Sequence, residues 1–378
     1  MNSGIFFVTS HPMSVVAFML PHIRALKSLM PVLVLANSNE HTLLQQHGVD
    51  VAIDFVPILR PIAPWSDIRA LWVLYWKFKK NHSLAVHTIT PKAGLLGMAA
   101  AWLARVPVRV HSFTGQVWIT RTGFMRWLLK AADKLIAAMA TDVLVDSPSQ
   151  RDFLIEQNVV TIERVSVLGA GSICGVNTKR FSSNERVREV VRHELGAASD
   201  SVVCLYLGRL NRDKGVLDLA NGFSQIAKKH PKAELWVVGP DEADYFQQMQ
   251  ELLDKAASQV KRVGFTSTPE RFMQAADLFC LPSYREGFGS SVIEAGACEV
   301  PALVSRIYGL TDAVVENQTG WMHKAGDVQD LVKQLDRLLA NPTELAVKGK
   351  AARQYVENFF GEETVTHAMF QFYQKRLS

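Results

Sequence analysis

Short apolar runs recur along the chain at intervals that leave room for one amphipathic helix between neighbours. Residues 4–8, 31–36, 51–56, 84–89, 108–111 and 142–145 read as buried strands, and the rhythm resumes at 201–207, 233–238, 262–265, 277–281 and 301–304. Runs this short, bounded by Pro, Ser, Gly and charged residues, fit strands better than helices. Strands alternating with helices predict parallel sheets covered on both faces, an α/β class. The polar segment 177–201 interrupts the rhythm, which puts a boundary near Ser182. The expected domains are therefore 1–182 and 183–359, two Rossmann-like doubly wound sheets. An aromatic-rich amphipathic helix in 360–378, with Phe370, Phe372 and Tyr373, is expected to cross back onto the first domain.

Length agrees with two domains, because 378 residues exceed the size at which one hydrophobic core usually stops growing. The longest weakly polar stretch, 93–104, is too short to span a bilayer. The opening strand lacks the basic leader and cleavage site of a signal peptide. Cys174, Cys204, Cys280 and Cys298 show neither metal nor redox spacing, which suits a reduced cytoplasm. Charge is uneven: residues 1–180 carry 18 basic and 10 acidic side chains, and the remainder 23 and 26. A basic first half points to an anionic surface or substrate on that side, with an ordinary solvated face as the alternative.

Two stretches of the second half carry candidate chemistry. In "GRLNRDKG", residues 208–215, Gly208 permits close backbone approach, and Arg209 and Lys214 bring two cations to a strand's carboxyl end, where a diphosphate would sit. In "SYREGFGSSVIEAGACEVPALVS", residues 283–305, Glu286 precedes a predicted helix over 290–297 and Glu294 lies within it. The first amides of that helix, near Ser290 and Ser291, form an anion site. Carboxylates accept hydrogen bonds from paired hydroxyls such as those of sugars and ribose.

These motifs, with "VVENQTGW" further on, resemble the retaining GT-B glycosyltransferases of family four, and the likeness runs through nearly the whole chain. The resemblance implies two domains facing across a cleft that closes around the reactants. It gives Glu286 to the transferred sugar, Glu294 to the ribose, and Arg209 and Lys214 to the diphosphate, whose cradle the amides near Phe288, Gly289 and Ser290 complete, with the base near Arg262, Val263 and Phe265. The family pattern usually has glycine where this chain has Glu299, which reads as a neutral loop change. The first-strand loop "TSHPMSVVAF" lacks the glycine pair common in the family, leaving His11 and Ser14 to meet the donor by side chain. His111, in "VHSFTGQVW", matches a family histidine that meets the donor sugar or its phosphate.

"HTITPKAGLLG", residues 87–97, resembles the subgroup that builds bacterial surface polysaccharides (O-antigen, capsule, lipopolysaccharide) on undecaprenyl diphosphate. The implied reaction moves a hexose or N-acetylhexosamine from a UDP-sugar to a lipid-diphosphate saccharide, with Lys92 drawing the acceptor's diphosphate. Arg126, Lys130 and Lys134 beside Phe124, Trp127 and Leu128, and the tryptophans of 64–80, suit a helix resting on an anionic membrane. An amphipathic helix covering its own sheet is the alternative. The expected location is the cytoplasm, at the inner face of the cell membrane. No Asp-x-Asp follows a strand, so neither metal nor other cofactor is expected, and nothing suggests a nucleic-acid partner. A nucleotide-sugar 2-epimerase and a non-catalytic nucleotide-sugar-binding subunit remain alternatives. A dinucleotide-dependent dehydrogenase is weaker, since no Gly-x-Gly-x-x-Gly turn follows the first strand.

Overall fold

A computed structural model describes residues 4–59 and 61–378. The chain divides into two compact units: one runs to Gly175 and regains Glu362–Ser378, the other is Val176–Gly361. The first contains β1 (Ile5–Val8), β2 (Val32–Ala36), β3 (Ile53–Phe55), β4 (Ala85–Thr88), β5 (Val108–Phe113), β6 (Asp142–Val145) and β7 (Val165–Val167). All pairs are parallel, in the order β3-β2-β1-β4-β5-β6-β7. The second contains β8 (Val202–Leu207), β9 (Ala233–Val238), β10 (Val260–Val263), β11 (Leu278–Leu281), β12 (Ala302–Ser305) and β13 (Gly320–His323), ordered β10-β9-β8-β11-β12-β13 and again parallel.

Central strands such as Ile5–Val8 and Leu278–Leu281 are buried at every position, because helices cover both faces. In each sheet the order reverses beside the first strand, at β1/β4 and at β8/β11. The connections from those neighbours leave toward opposite faces, so no helix crosses the carboxyl ends there and a ligand can reach them.

The last helix, Glu362–Leu377, belongs to the first unit. Val365, Met369 and Tyr373 recur every four residues on its buried face, and Met369 and Tyr373 join a core with Ile5, Phe7, Ile23 and Val34. The Tyr373 hydroxyl lies 2.9 Å from Nδ1 of buried His87, whose Nε2 lies 2.7 Å from the Ser112 hydroxyl. Burial, reinforced by His111 and His22, pushes the His87 imidazole down to about 3. It is therefore neutral and can give one hydrogen bond and take another.

One strand expectation needs correction, and two strands were not expected. The run expected at 262–265 is the strand Val260–Val263, so Arg262 lies inside it and Phe265 beyond it. Val165–Val167 and Gly320–His323 are additional strands.

The buried neutral imidazole gives a signed prediction. With a folded pKa below the unfolded value, His87 contributes stability that is complete above about pH 6.5 and is lost as pH falls toward 3. The cost of His87→Gln is expected to be greatest at pH 7–8 and to shrink by up to about 1.4 kcal/mol per pH unit below 6. Denaturant titrations of both proteins from pH 7.5 to 4.5 measure it; a constant difference contradicts the neutral, buried assignment.

Candidate active site

The reversal at β8/β11 builds the site of the second unit. Gly208 follows β8 beside Gly239, whose φ is +133° and where a Cβ would stand 2.0 Å from the Gly208 carbonyl oxygen. Asn211 then caps a short turn, its Oδ1 accepting from the Lys214 amide at 3.2 Å. Gly215 has φ +66°, and a Cβ there would stand 2.0 Å from the Pro282 carbonyl oxygen, so the β8 and β11 loops meet backbone to backbone. The Tyr284 amide donates to the Asp213 carbonyl at 2.8 Å, and Arg285 pairs with the Asp213 carboxylate at 3.0 Å.

That contact brings Lys214 to Glu286 across 72 residues of sequence. Lys214 Nζ is 2.5 Å from Glu286 Oε1, which also accepts from the Ser283 hydroxyl at 2.8 Å. Both partners are largely covered, with side chains 22% and 12% exposed. Arg209 lies apart from this pair, at 59% exposure and 2.6 Å from Glu242, whose other oxygen accepts from Asn211 at 2.8 Å.

Beyond Glu286 the chain turns into the helix Ser290–Ala297 through Gly289, with φ +78°. The amides of Ser290 and Ser291 have no recorded protein acceptor among the described residues. The Phe288 ring is buried against Phe360, centroids 5.0 Å apart, so only its backbone is available. The Glu294 carboxyl makes no hydrogen bond or ion pair among the described residues. Its carboxyl is pushed up to about 7, chiefly by burial, with Arg180 opposing and Glu270 adding to the rise. Part of the residue's surface still meets solvent, so a polar ligand group can reach it.

The guanidinium of Arg262 is committed to structure. It donates to the carbonyls of Val237, Val263 and Gly239 and lies 5.3 Å from the Phe246 ring centre. Phe265 is 78% exposed. The sequence reading missed Glu242, Asn211, Ser283 and Asp213. Glu242 had a visible signal, since it follows Gly239 and Pro240 at a strand's carboxyl end, but its partner Arg209 is 33 residues away.

In the first unit His11 follows β1, with Nδ1 accepting from the Met13 amide at 3.2 Å, and Ser14 lies in the helix Met13–Phe18. His111 ends up buried in β5, 2.7 Å from the Thr88 hydroxyl and edge-on to Phe113. Burial pushes its imidazole down to about 3. Gly94 packs directly on it: a Cβ there would stand 2.5 Å from His111 Cε1. Lys92 is held by Asp67 at 2.6 Å and by the Pro61 carbonyl at 2.5 Å. On the helix Gly123–Met139, Arg126 and Lys130 flank the Trp118 ring, Lys130 also donates to Gln157 at 2.7 Å, and Lys134 is exposed. Among the described residues no group of three His, Cys, Asp or Glu side chains stands close enough to hold a metal ion.

Two parallel, doubly wound sheets and a C-terminal helix on the first unit make this a GT-B fold. Over 99% of both chains it superposes on sucrose-phosphate synthase from Thermosynechococcus elongatus (TM-score 0.82, 21% identity). Anabaena HepE in complex with UDP superposes with TM-score 0.81 at 18% identity, over 99% of this chain and 100% of that one. Residues 187–355 match the family described as Glycosyl transferases group 1, and residues 16–171 the Glycosyl transferase 4-like domain. The chain is 30% identical over 337 residues, 87% of its length and 86% of the relative's, to the capsular polysaccharide biosynthesis glycosyltransferase CapM of Staphylococcus aureus. It is 27% identical, over 81% of its length and 79% of the relative's, to the Escherichia coli UDP-Gal:alpha-D-GlcNAc-diphosphoundecaprenol alpha-1,3-galactosyltransferase. The protein belongs to the glycosyl transferases group 1 family and is a retaining glycosyltransferase.

The position of Glu299, where the resemblance implies a glycine, has a backbone that suits one. Its φ is +63°, just past the helix end at Cys298, and its amide donates to the Gly296 carbonyl at 3.0 Å. This is the left-handed position that closes a helix, where a Cβ is strained. The substitution is therefore not neutral for the backbone, although Oε1 recovers a hydrogen bond from Ser183 at 3.0 Å. Glu299→Gly is expected to raise stability by about 1 kcal/mol, read as a higher unfolding temperature. A lower one contradicts the strain.

Proposed function

We propose that the protein transfers a hexose or N-acetylhexosamine from a UDP-sugar to a hydroxyl of a polyprenyl-diphosphate-linked saccharide in the assembly of bacterial surface polysaccharide. The observation that carries the donor half is the Lys214–Glu286 pair, followed along the chain by the Ser290 and Ser291 amides and the Glu294 carboxyl, which have no protein partner among the described residues. A diphosphate bound there meets the Lys214 ammonium and the helix amides, which stabilise the charge that grows as the sugar departs. Glu286 then accepts from hydroxyls of the transferred sugar, and Glu294 from the ribose. Arg209 reaches the diphosphate by leaving Glu242, an exposed pair worth only about 0–1 kcal/mol. For the base, the Arg262 guanidinium is engaged and the exposed Phe265 ring offers the nearby free surface. The HepE complex with UDP and the Escherichia coli relative's UDP-Gal donor support the choice of nucleotide.

The acceptor half draws on that same relative, which acts on GlcNAc-diphosphoundecaprenol, and on CapM's place in capsule biosynthesis. Surface chemistry agrees. Trp65, Ile68, Trp72 and Trp76 form an exposed stripe on the helix Pro64–Lys80, and Phe124 and Trp127 stack on the outside of the helix Gly123–Met139. Among the described residues no helix is long and apolar enough to cross a membrane. Interfacial aromatics near Lys79, Lys80, Arg126 and Lys134 suit attachment to the cytoplasmic surface of an anionic bilayer.

Two outcomes test this. Lys214→Ala and Glu286→Gln are expected to lower turnover with a UDP-sugar and an undecaprenyl-diphosphate saccharide at least a hundredfold, with unfolding temperatures near that of the parent. Rates within threefold of the parent in either variant reject the assignment. In sedimentation with vesicles containing phosphatidylglycerol, the parent is expected to pellet. Replacing Arg126, Lys130 and Lys134 with Glu, or Phe124 and Trp127 with Ser, is expected to leave most protein in the supernatant; equal pelleting rejects membrane attachment.

A further inference from the structure

The first unit contains a cavity of about 430 Å³, a volume suited to a small organic ligand. It lies among the first turns of the helices Pro64–Lys80 and Pro91–Leu103, the carboxyl end of β5, and the inner face of the helix Gly123–Met139. Its walls are mostly hydrocarbon, chiefly Leu95, Phe113, Leu128, Leu129 and Ile136. His111 lines the end nearest the β5 carboxyl terminus, and Lys92 the end at the helix starts.

One carboxyl group interrupts the apolar wall of the Gly123–Met139 helix. Asp133 is 7% exposed; Oδ2 accepts from the indole N–H of Trp118 at 2.8 Å, and Oδ1 has no partner among the described residues. Burial pushes its carboxyl up to about 7, with the Trp118 bond opposing. In its protonated form it lies against hydrocarbon at little cost. A saccharide carries a hydroxyl on nearly every ring carbon, whereas most polar side chains of the lining are already engaged by the protein: Asp67 with Lys92, Thr90 with Ser10, His111 with Thr88, Ser112 with His87 and Asp133 with Trp118. A hydrocarbon chain asks for none and gains from each methylene withdrawn from water.

The mouth of the cavity points to where such a chain enters. Ile62 and Leu128 line it and are 79% and 39% exposed, and Phe124 and Trp127 continue the apolar surface on the same helix as Leu128. A lipid leaving a bilayer at that surface stays in contact with apolar groups as it turns inward. We propose that this cavity receives the phosphate-proximal hydrocarbon segment of an isoprenoid lipid, with Lys92 at the rim turning from Asp67 to meet its phosphate. The assignment extends the lipid-linked acceptor of the proposed function, on which it rests, by naming the part of the acceptor held here.

The test is calorimetric titration of the full chain with farnesyl diphosphate, with UDP saturating to occupy the diphosphate site of the second unit. Saturable binding is expected, weakened at least tenfold by Ala132→Trp, which fills the cavity. The same loss is expected from Ile62→Asp, at an exposed position that leaves folding untouched. Inorganic pyrophosphate is expected to bind far more weakly. No binding by the parent, unchanged affinity in Ile62→Asp, or equal binding of pyrophosphate overturns the proposal. Sugar transfer to an undecaprenyl-diphosphate saccharide reads the functional assignment separately: a parent that binds farnesyl diphosphate in this cavity yet transfers nothing sinks that assignment alone.

Discussion

The reversal of strand order between β8 and β11 is the constraint from which the donor site follows. Because the connections from these adjacent parallel strands diverge to opposite faces, no helix crosses their carboxyl ends, and the two loops are free to approach each other. Gly215 turns the approach into contact, since a larger residue would collide with the carbonyl oxygen of Pro282. With the loops so held, Lys214 and Glu286 need no long-range rearrangement to meet, and the charge pattern of the site is preset before any ligand arrives.

Preset charge matters because an enzyme that stabilises a departing diphosphate does so best with groups already oriented. The ammonium of Lys214 is covered enough to act in a low-dielectric setting, yet it is neutralised by Glu286 in the ligand-free chain. Glu294 is the opposite case, a carboxyl with no partner whose affinity for its proton is raised by its surroundings. One acid therefore has one oxygen, Oε1, held by the protein and the other left for a hydroxyl, while the second acid has both oxygens left for hydroxyls.

Much of this was legible in the sequence, and the failures share a cause. Central strands announced themselves because both faces are covered and every position is apolar, as in Leu278–Leu281. The misplaced or missed strands, Val260–Val263, Val165–Val167 and Gly320–His323, all lie at sheet edges. The first carries Lys261 and Arg262, the second is three residues long, and the third mixes Gly and His with its apolar residues, so none shows a continuous apolar run. At the site, the proximity of Lys214 to Glu286 could be inferred because each lies in the loop that follows one of two adjacent strands. The commitments of Arg209 to Glu242 and of Arg262 to three carbonyls could not, because a long cation's partner depends on rotamers and loop paths that spacing does not encode. The left-handed backbone at Glu299 was hinted at only by the residue type that its relatives prefer.

A crystal of the chain soaked with UDP tests the central claim most directly. The account predicts the diphosphate within hydrogen-bonding distance of Lys214 Nζ and the Ser290 and Ser291 amides, with both ribose hydroxyls on the Glu294 carboxylate. A nucleotide bound with its ribose away from Glu294, or lodged at any site that leaves the Lys214–Glu286 pair untouched, would contradict it.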